Sequence, residues 1–174
     1  MDRYLFLDIA TNTGYAIYDV KSSMVIQHGS FKAHTKDNWG KGLKEFEQWI
    51  NGIILEYDIK GIIAEETYIP FAGEHKNTKA FKRLCELHGI LEKVCFEKEL
   101  PINFVEPKHH HVNLCGWNYR NRKDIKEETV KRIKCLFGKF FVENDDEADA
   151  LSIMLFWLKF TKFDLILPNG RLFS

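Results

Sequence analysis

The 174-residue chain lacks the features typical of secreted or membrane proteins. It has no C-x-x-C motif, and its four cysteines stand 10, 20 and 20 residues apart. No apolar run approaches the roughly 20 residues that cross a bilayer, and no secretory leader is recognisable. We therefore expect a reduced, soluble, cytoplasmic protein with no membrane partner.

Net charge is absent as well. The 25 basic residues balance the 25 acidic ones, so the distribution of charge must indicate the partner. Residues 107–134 hold eight Lys or Arg and three acids, whereas residues 140–149 hold five acids and neither Lys nor Arg. A solvated helix face would explain either run alone. A basic surface beside an acidic pocket also suits a phosphate backbone brought to bound metal ions.

The length and the apolar patterns predict one α/β domain over residues 1–174. Apolar runs predict strands at 3–9, 13–19, 24–31, 61–65 and 102–105. Helical spacing predicts helices at 39–57, 77–99, 108–114, 124–137 and 145–161. This order predicts a five-stranded mixed sheet with helices on both faces. Its first three strands are antiparallel, and parallel crossovers join the later ones.

Four acidic residues in three places carry most of the functional signal. Asp8 and Glu65 each end an apolar strand, and Asp146 and Asp149 open the last apolar helix. Carboxylates at the ends of buried elements are costly unless they are paired, protonated or bound to metal. Three such places that can converge in a fold predict a site that holds divalent cations through oxygen ligands.

Metal-dependent phosphodiester hydrolysis is the chemistry that suits these residues. It needs a neutralised phosphate, an activated water and a stabilised leaving oxygen, which two Mg²⁺ ions roughly 3.5–4 Å apart can supply. Asp8 on a central strand is suited to bridge two ions. Asp146 and Asp149 are three residues apart and share a helix face. Acids at a helix start also favour the helix dipole, so capping alone would explain either of these two taken singly.

Two ligand assignments stay open on spacing alone. Glu65 and Glu66 are adjacent, so strand alternation sends them to opposite faces. Asp145 lies four residues before Asp149 and shares its helix face as well as Asp146 does.

A zinc site is an alternative use of His109, His110, His111 and Cys115. His111 and Cys115 are four residues apart on a possible helix, which is workable ligand spacing. However, no second Cys/His pair stands at finger spacing, and three adjacent histidines cannot all face one ion from a regular helix. We therefore interpret these histidines as phosphate contacts or plain surface.

Four stretches follow one another in a recognisable order along residues 5–155. They are Leu7-Asp8 with Thr13-Gly14-Tyr15-Ala16-Ile17, then Ile62-Ile63-Ala64-Glu65, then Leu100-Pro101 with Val105-Glu106-Pro107, and finally Asp146-Glu147-Ala148-Asp149-Ala150-Leu151. Together they resemble the motifs of the RuvC-like Holliday-junction resolvases, above all the bacteriophage-encoded members.

The resemblance implies a ribonuclease H-like fold and a homodimeric, magnesium-dependent endonuclease that nicks branched DNA symmetrically. It implies two Mg²⁺ ions per site, for which Mn²⁺ can substitute. The ligands that it implies are Asp8, Glu65, Asp146 and Asp149. The family pattern thus favours Glu65 over Glu66 and Asp146 over Asp145.

The resemblance also implies DNA contacts. Tyr68, with Phe71 nearby, occupies the place of an aromatic that stacks on an unpaired base at the branch point, a contact worth roughly 1–3 kcal/mol. A packed loop aromatic is the plain alternative for Tyr68. Basic residues around the start of the penultimate helix are implied to contact phosphates, namely Arg122, Lys123 and Lys126.

The chain departs from the family at Thr11-Asn12, at residues 65–70 and in the loop at 115–122. These differences bear on sequence preference and on selectivity for four-way junctions over forks and flaps. Two rival functions follow from the same residues. One is a ribonuclease H-like enzyme acting on RNA–DNA hybrid or structured RNA. The other is a non-catalytic module that binds branched DNA.

Overall fold

The computed structural model describes residues 2–34, 38–67, 78–116, 121–139 and 141–173. The strands are β1 (Arg3–Asp8), β2 (Asn12–Asp19), β3 (Met24–Lys32), β4 (Ile59–Glu65), β5 (Ile102–Val105), β6 (Leu165–Ile166) and β7 (Leu172–Phe173). The helices are α1 (Trp39–Tyr57), α2 (Thr78–Glu97), α3 (Pro107–Cys115), α4 (Arg122–Phe137) and α5 (Asp145–Thr161). Within these residues, no helix is both long enough and apolar enough to span a membrane.

Strands β1 to β5 form one mixed sheet in the order β3-β2-β1-β4-β5. β2 is antiparallel to both β1 and β3, whereas β4 pairs in parallel with β1 and with β5. Parallel strands bring their carboxyl ends to one edge of the sheet, so the ends of β1, β4 and β5 are neighbours. The predicted fold class, a five-stranded mixed sheet with helices, is confirmed.

Helices cover both faces of the sheet, and strand alternation assigns each side chain to a face. Leu5 of β1 packs in a core with α1 and α2, whereas Phe6 packs in the core that contains α5. Ile63 of β4 is the register partner of Phe6 and belongs to the same core. Asp8 and Glu65 each lie two residues further along their strands, so they extend from the face that α5 covers.

α5 is a buried helix with a defined start. The side chain of Asn144 caps it by accepting a hydrogen bond of 2.9 Å from the backbone N–H of Glu147. Ala148 and Leu151 have no exposed surface, and the helix ends at Lys162 in the left-handed conformation. Because burial and capping both hold the first turns, the acidic side chains there project from a rigid support.

Gly14 of β2 permits the close approach of α5. A Cβ atom at Gly14 would lie 1.8 Å from the backbone oxygen of Asp146, a distance that no real contact tolerates. Glycine at this position therefore sets the spacing between β2 and the first turn of α5.

Most helices and strands differ from the predicted bounds by one or two residues at an end. α4 begins at Arg122 instead of 124, because the side chain of Asn121 caps it by accepting a hydrogen bond of 3.0 Å from the third residue of the helix. The C-terminal region also adds the small pair β6 and β7. Its Leu165 is fully buried, and the N–H of Ile166 donates to the carbonyl of Ser23. Two-residue strands are too short for periodicity to reveal.

We expect Gly14→Ala to destabilise the protein by about 1–3 kcal/mol or more, because the added methyl group must push α5 away from β2. Gly52→Ala is the matched control. A Cβ atom at that helical position meets nothing within 4 Å, and alanine is the better helix former by about 1 kcal/mol. Urea unfolding followed by circular dichroism measures both variants. Wild-type stability in Gly14→Ala would contradict the packing argument.

Candidate active site

Asp8 and Glu65 end neighbouring parallel strands on the face that α5 covers. Asp8 is only 9% exposed and stands opposite Gly14 in the register of β1 and β2. Glu65 stands opposite Val105 of β5. Glu66, the alternative that spacing left open, is exposed just beyond the strand. The structure therefore places Glu65, not Glu66, beside Asp8.

Asp146 and Asp149 come from the first turns of α5. The side-chain amide of Asn12, at the start of β2, donates a hydrogen bond to the carboxylate of Asp146. Asp149 lies one turn further along the helix and is 3% exposed. Asp145, the other alternative, has a 45% exposed side chain whose Oδ2 lies 2.6 Å from the amine of Lys126. Asp146 is thus tied to the sheet, while Asp145 faces outward to α4.

The four carboxylates lie close enough to interact electrostatically. Burial raises the pKa of Asp8 well above its ordinary value, and the negative charges of Glu65, Asp149 and Asp146 raise it further. Burial also raises the pKa of Asp149 to about 7, against the opposing charge of Lys126. The pKa of Asp146 is likewise raised, first by burial. Such an array favours divalent cations, because a bound cation can take the place of the retained protons.

Lys126 of α4 brings a positive charge to this cluster. Its Nζ lies 2.6 Å from Oδ2 of Asp145 and 3.7 Å from Oδ2 of Asp149. The family resemblance implies that Lys126 contacts a phosphate. A phosphate that reached this amine would therefore arrive beside the carboxylates.

Two histidines that the sequence analysis did not assign to the site reach it from α3. His110 is fully buried, with Nε2 2.8 Å from Oε2 of Glu65 and Nδ1 3.1 Å from Oγ of Ser152. Nδ1 of His111 lies 4.0 Å from Oδ1 of Asp149. The interpretation of the histidines as phosphate contacts or plain surface is therefore wrong for His110.

The connection after β5 explains why the histidines lie here. β5 ends at the same edge as β1 and β4, and Pro107 begins α3 two residues later, at a position where proline favours a helix start. The short helix then carries its histidines past the strand ends. The strand-to-helix junction in the sequence indicates that α3 begins beside the site. The spacing of three consecutive histidines does not indicate which of them face inward. His109 does not, since its side chain is 57% exposed and lies 3.7 Å from Glu106.

The residues present fit a divalent metal centre. Glu65, His110 and His111 each offer a ligand atom within 4.8 Å of the others. Oδ1 of Asp149 is buried and receives no hydrogen bond from the described residues. Buried acceptors normally have partners, so an orphaned carboxylate oxygen suits a cation. Carboxylate oxygens are the ligands that Mg²⁺ and Mn²⁺ prefer.

Of the other residues predicted to contact DNA, the structure describes the two on α4 and not the two aromatic ones. Lys123 lies on the exposed surface of α4, with its side chain 85% exposed and 3.7 Å from Glu127. Arg122 is the first residue of the same helix. Tyr68 and Phe71 lie outside the described residues, so the proposed base stacking stays a prediction.

We expect the metal-free protein to lose stability as the pH rises from about 4 to about 7. Asp149 keeps its proton in the folded protein up to a pKa of about 7, whereas the unfolded chain releases it near pH 4. The folded state therefore holds an extra proton in this window. The titration of Asp149 alone lowers the free energy of unfolding by up to about 1.4 kcal/mol per pH unit.

Asp149→Asn tests this expectation, because it removes the titration with little change of shape. The free energy of unfolding of both proteins is measured by urea unfolding in the presence of a chelator. The value for the variant should rise relative to that of the wild type as the pH increases, and the difference should become constant above about pH 7. Mg²⁺ should restore wild-type stability at the higher pH, since it favours the ionised carboxylate. A difference that does not depend on pH would contradict the assignment.

Comparison with known proteins places the fold. No protein-family model and no curated protein matches the sequence. Thermus thermophilus RuvC in complex with a Holliday junction substrate superposes with a TM-score of 0.72 at 14% identity, covering 93% of this chain and 96% of the other. Another T. thermophilus RuvC structure superposes with a TM-score of 0.68 at 14% identity, covering 92% of this chain and 98% of that one. The yeast mitochondrial Holliday junction resolvase Ydc2 superposes with a TM-score of 0.64 at 14% identity, covering 92% of this chain and 79% of that one. The chain therefore has the ribonuclease H-like fold in its RuvC-like form.

Proposed function

We propose that the chain is a divalent-metal-dependent DNA endonuclease that nicks Holliday junctions and other branched DNA, such as forks and flaps. The observation that carries the proposal is the convergence of Asp8, Glu65, Asp146 and Asp149 at one end of the central strands. Burial and mutual repulsion leave Asp8 and Asp149 prone to retain protons there. The RuvC structure that shares this fold was determined with a Holliday junction substrate, which supports the substrate class.

The four carboxylates would hold two Mg²⁺ ions, for which Mn²⁺ could substitute. Ions in such a pair neutralise the scissile phosphate, activate the attacking water and stabilise the leaving oxygen. The contribution of the chain itself is placement. The Asn12 amide donates to Asp146 and keeps that carboxylate at the site, and Nε2 of His110 lies 2.8 Å from Oε2 of Glu65.

A groove beside the carboxylates offers a path for the DNA backbone. It has a volume of about 680 Å³. Its walls come from α4 and the start of α5 and include Lys123, Lys126, Glu127, Val130 and Asp145. A strand that followed this groove past Lys126 would come close to Asp149, whose Oδ2 lies 3.7 Å from Nζ of Lys126. The proposed products are ends with 5′-phosphate and 3′-hydroxyl groups.

Symmetric nicking of a junction requires two active sites, which a C2 homodimer would supply. α1 and α2 pack together on the face of the sheet opposite α5. Leu55 and Phe96 on these helices are 84% and 86% exposed. Exposed apolar side chains support this layer as the dimer interface.

Glu65→Gln should reduce magnesium-dependent nicking of a labelled four-way junction by at least about 100-fold. The change removes one ligand charge, and about 2.7 kcal/mol of lost transition-state stabilisation corresponds to that factor. DNA binding should remain within about threefold, because the side-chain shape is kept. Glu66→Gln, one residue along and exposed, is the matched control and should cut as the wild type does.

The same assay should include a fork, linear duplex and an RNA–DNA hybrid, each with Mg²⁺ and with chelator. Cleavage of the hybrid alone would assign the chain to ribonuclease H chemistry. Tight binding of branched DNA without cleavage would make it a binding module. Either result would overturn the proposed activity.

Lys123→Gln should weaken binding to branched DNA and lower the dependence of log affinity on log salt concentration by about one, since one phosphate contact is lost. Lys60→Gln is the control. Lys60 lies near the amino end of β4, so it is at the edge of the sheet opposite the carboxylates. Fluorescence anisotropy at several salt concentrations measures both variants. An unchanged salt slope in Lys123→Gln would remove this residue from the interface.

A further inference from the structure

The structure assigns a mixed nitrogen–oxygen position for a first-row transition-metal ion to Glu65, His110 and His111, with Asp149 as a further oxygen donor. This inference rests on the proposed function and deepens it, because Glu65 and Asp149 belong to the proposed catalytic carboxylates. The inference changes the ligands expected at one of the proposed metal positions, from carboxylate oxygens alone to carboxylate oxygens and imidazole nitrogens.

The hydrogen bonds around His110 support a metal-binding nitrogen. Oγ of Ser152 lies 3.1 Å from Nδ1 of His110, and its hydroxyl also reaches the backbone oxygen of His110 at 3.3 Å. In the tautomer in which the hydroxyl donates to that backbone oxygen, Oγ accepts from Nδ1–H, and the lone pair of a neutral imidazole is on Nε2.

That lone pair faces another acceptor. Nε2 of His110 lies 2.8 Å from Oε2 of Glu65, and an ionised carboxylate offers only lone pairs. Two acceptors so close repel each other unless a cation binds both. Neighbouring ligand atoms on an octahedral ion with bonds of about 2.1 Å lie about 3 Å apart. The 2.8 Å between Nε2 of His110 and Oε2 of Glu65 therefore suits two ligands of one ion. The alternative is a proton on Nε2 that is donated to the carboxylate.

Asp149 and His111 complete the position from a second helix and from the next residue of α3. Nδ1 of His111 lies 3.4 Å from Oγ1 of Thr129 and 4.0 Å from Oδ1 of Asp149, and the second distance is beyond hydrogen-bond range. The Asp149 oxygen is buried and has no hydrogen-bond partner among the described residues. An orphaned, buried carboxylate oxygen aimed at an imidazole is the second observation that points to a cation here.

The ligand types determine the class of ion. Imidazole nitrogen binds Mn²⁺, Fe²⁺, Co²⁺ or Zn²⁺ far more readily than Mg²⁺, which prefers oxygen ligands and retains water. Metal-binding histidines usually have their other ring nitrogen held by a hydrogen bond. Ser152 provides that bond to His110. Its place in the buried part of α5 makes the orientation of the ring rigid.

Pulsed electron paramagnetic resonance on the full chain loaded with Mn²⁺ tests this assignment. Electron spin echo envelope modulation detects nitrogen bound directly to manganese. We expect imidazole modulation in the wild type, weaker modulation in His110→Gln and in His111→Gln, and Mn²⁺ affinity at least about 10-fold lower in each. His111→Gln keeps the test available if the variant at the fully buried His110 fails to fold.

His109→Gln is the matched control, since this neighbouring histidine is exposed and lies beside Glu106. It should keep the wild-type modulation and the wild-type Mn²⁺ affinity. Bound Mn²⁺ without nitrogen modulation, modulation unchanged in both inward variants, or no Mn²⁺ binding at all would each overturn the assignment. The first of these results would mean that a proton occupies Nε2 and that His110 only positions Glu65.

Junction cleavage by the same preparations separates this inference from the proposed function. If the wild type cuts the junction but shows no nitrogen modulation, the proposed nuclease activity is supported and the mixed metal site is rejected. If the wild type shows nitrogen modulation that the His110 and His111 variants lose, but it cuts no DNA, the metal site is supported and the nuclease activity is rejected.

Discussion

Repulsion among buried carboxylates is the constraint on which the rest of this structure depends. Asp8, Glu65, Asp146 and Asp149 come from two strands and one helix, and burial strengthens their mutual repulsion. Opposing contacts come from different elements. Lys126 of α4 brings a positive charge, Asn12 of β2 donates to Asp146, and the start of α5 presents its positive dipole end. The site is therefore a product of the whole fold and not of a single loop.

Backbone packing sets the geometry of this arrangement. The absence of a side chain at Gly14 lets the first turn of α5 lie directly against β2. Asp8 is opposite Gly14 in the sheet, so the same contact that seats the helix also sets the distance from Asp146 to Asp8. Ligands carried on strands and a buried helix are held more accurately than ligands on loops. A nuclease of the proposed kind needs that accuracy.

Much of this fold was predictable because its elements are long and their apolar patterns regular. α1, β5 and α5 have the bounds that the patterns predicted. Spacing alone did not decide between Glu65 and Glu66, although the family resemblance favoured Glu65. The pairing of Phe6 with Ile63 in the sheet shows that Glu65 shares a face with Asp8. The roles of consecutive histidines were not predictable. Their directions depend on the angle at which α3 leaves β5, and periodicity carries no information about that angle.

The energetics of the carboxylates bear on the choice between an enzyme and a binding module. A buried acid that keeps its proton to about pH 7 lowers the stability of the metal-free fold at neutral pH. A module that only bound DNA would be more stable with neutral side chains at Asp8 and Asp149, because burial disfavours the charged forms of both acids. Acids near DNA also repel its backbone. The presence of these acids at such a cost is consistent with a cation site that draws the phosphate in, which supports the proposed nuclease over a module that only binds DNA.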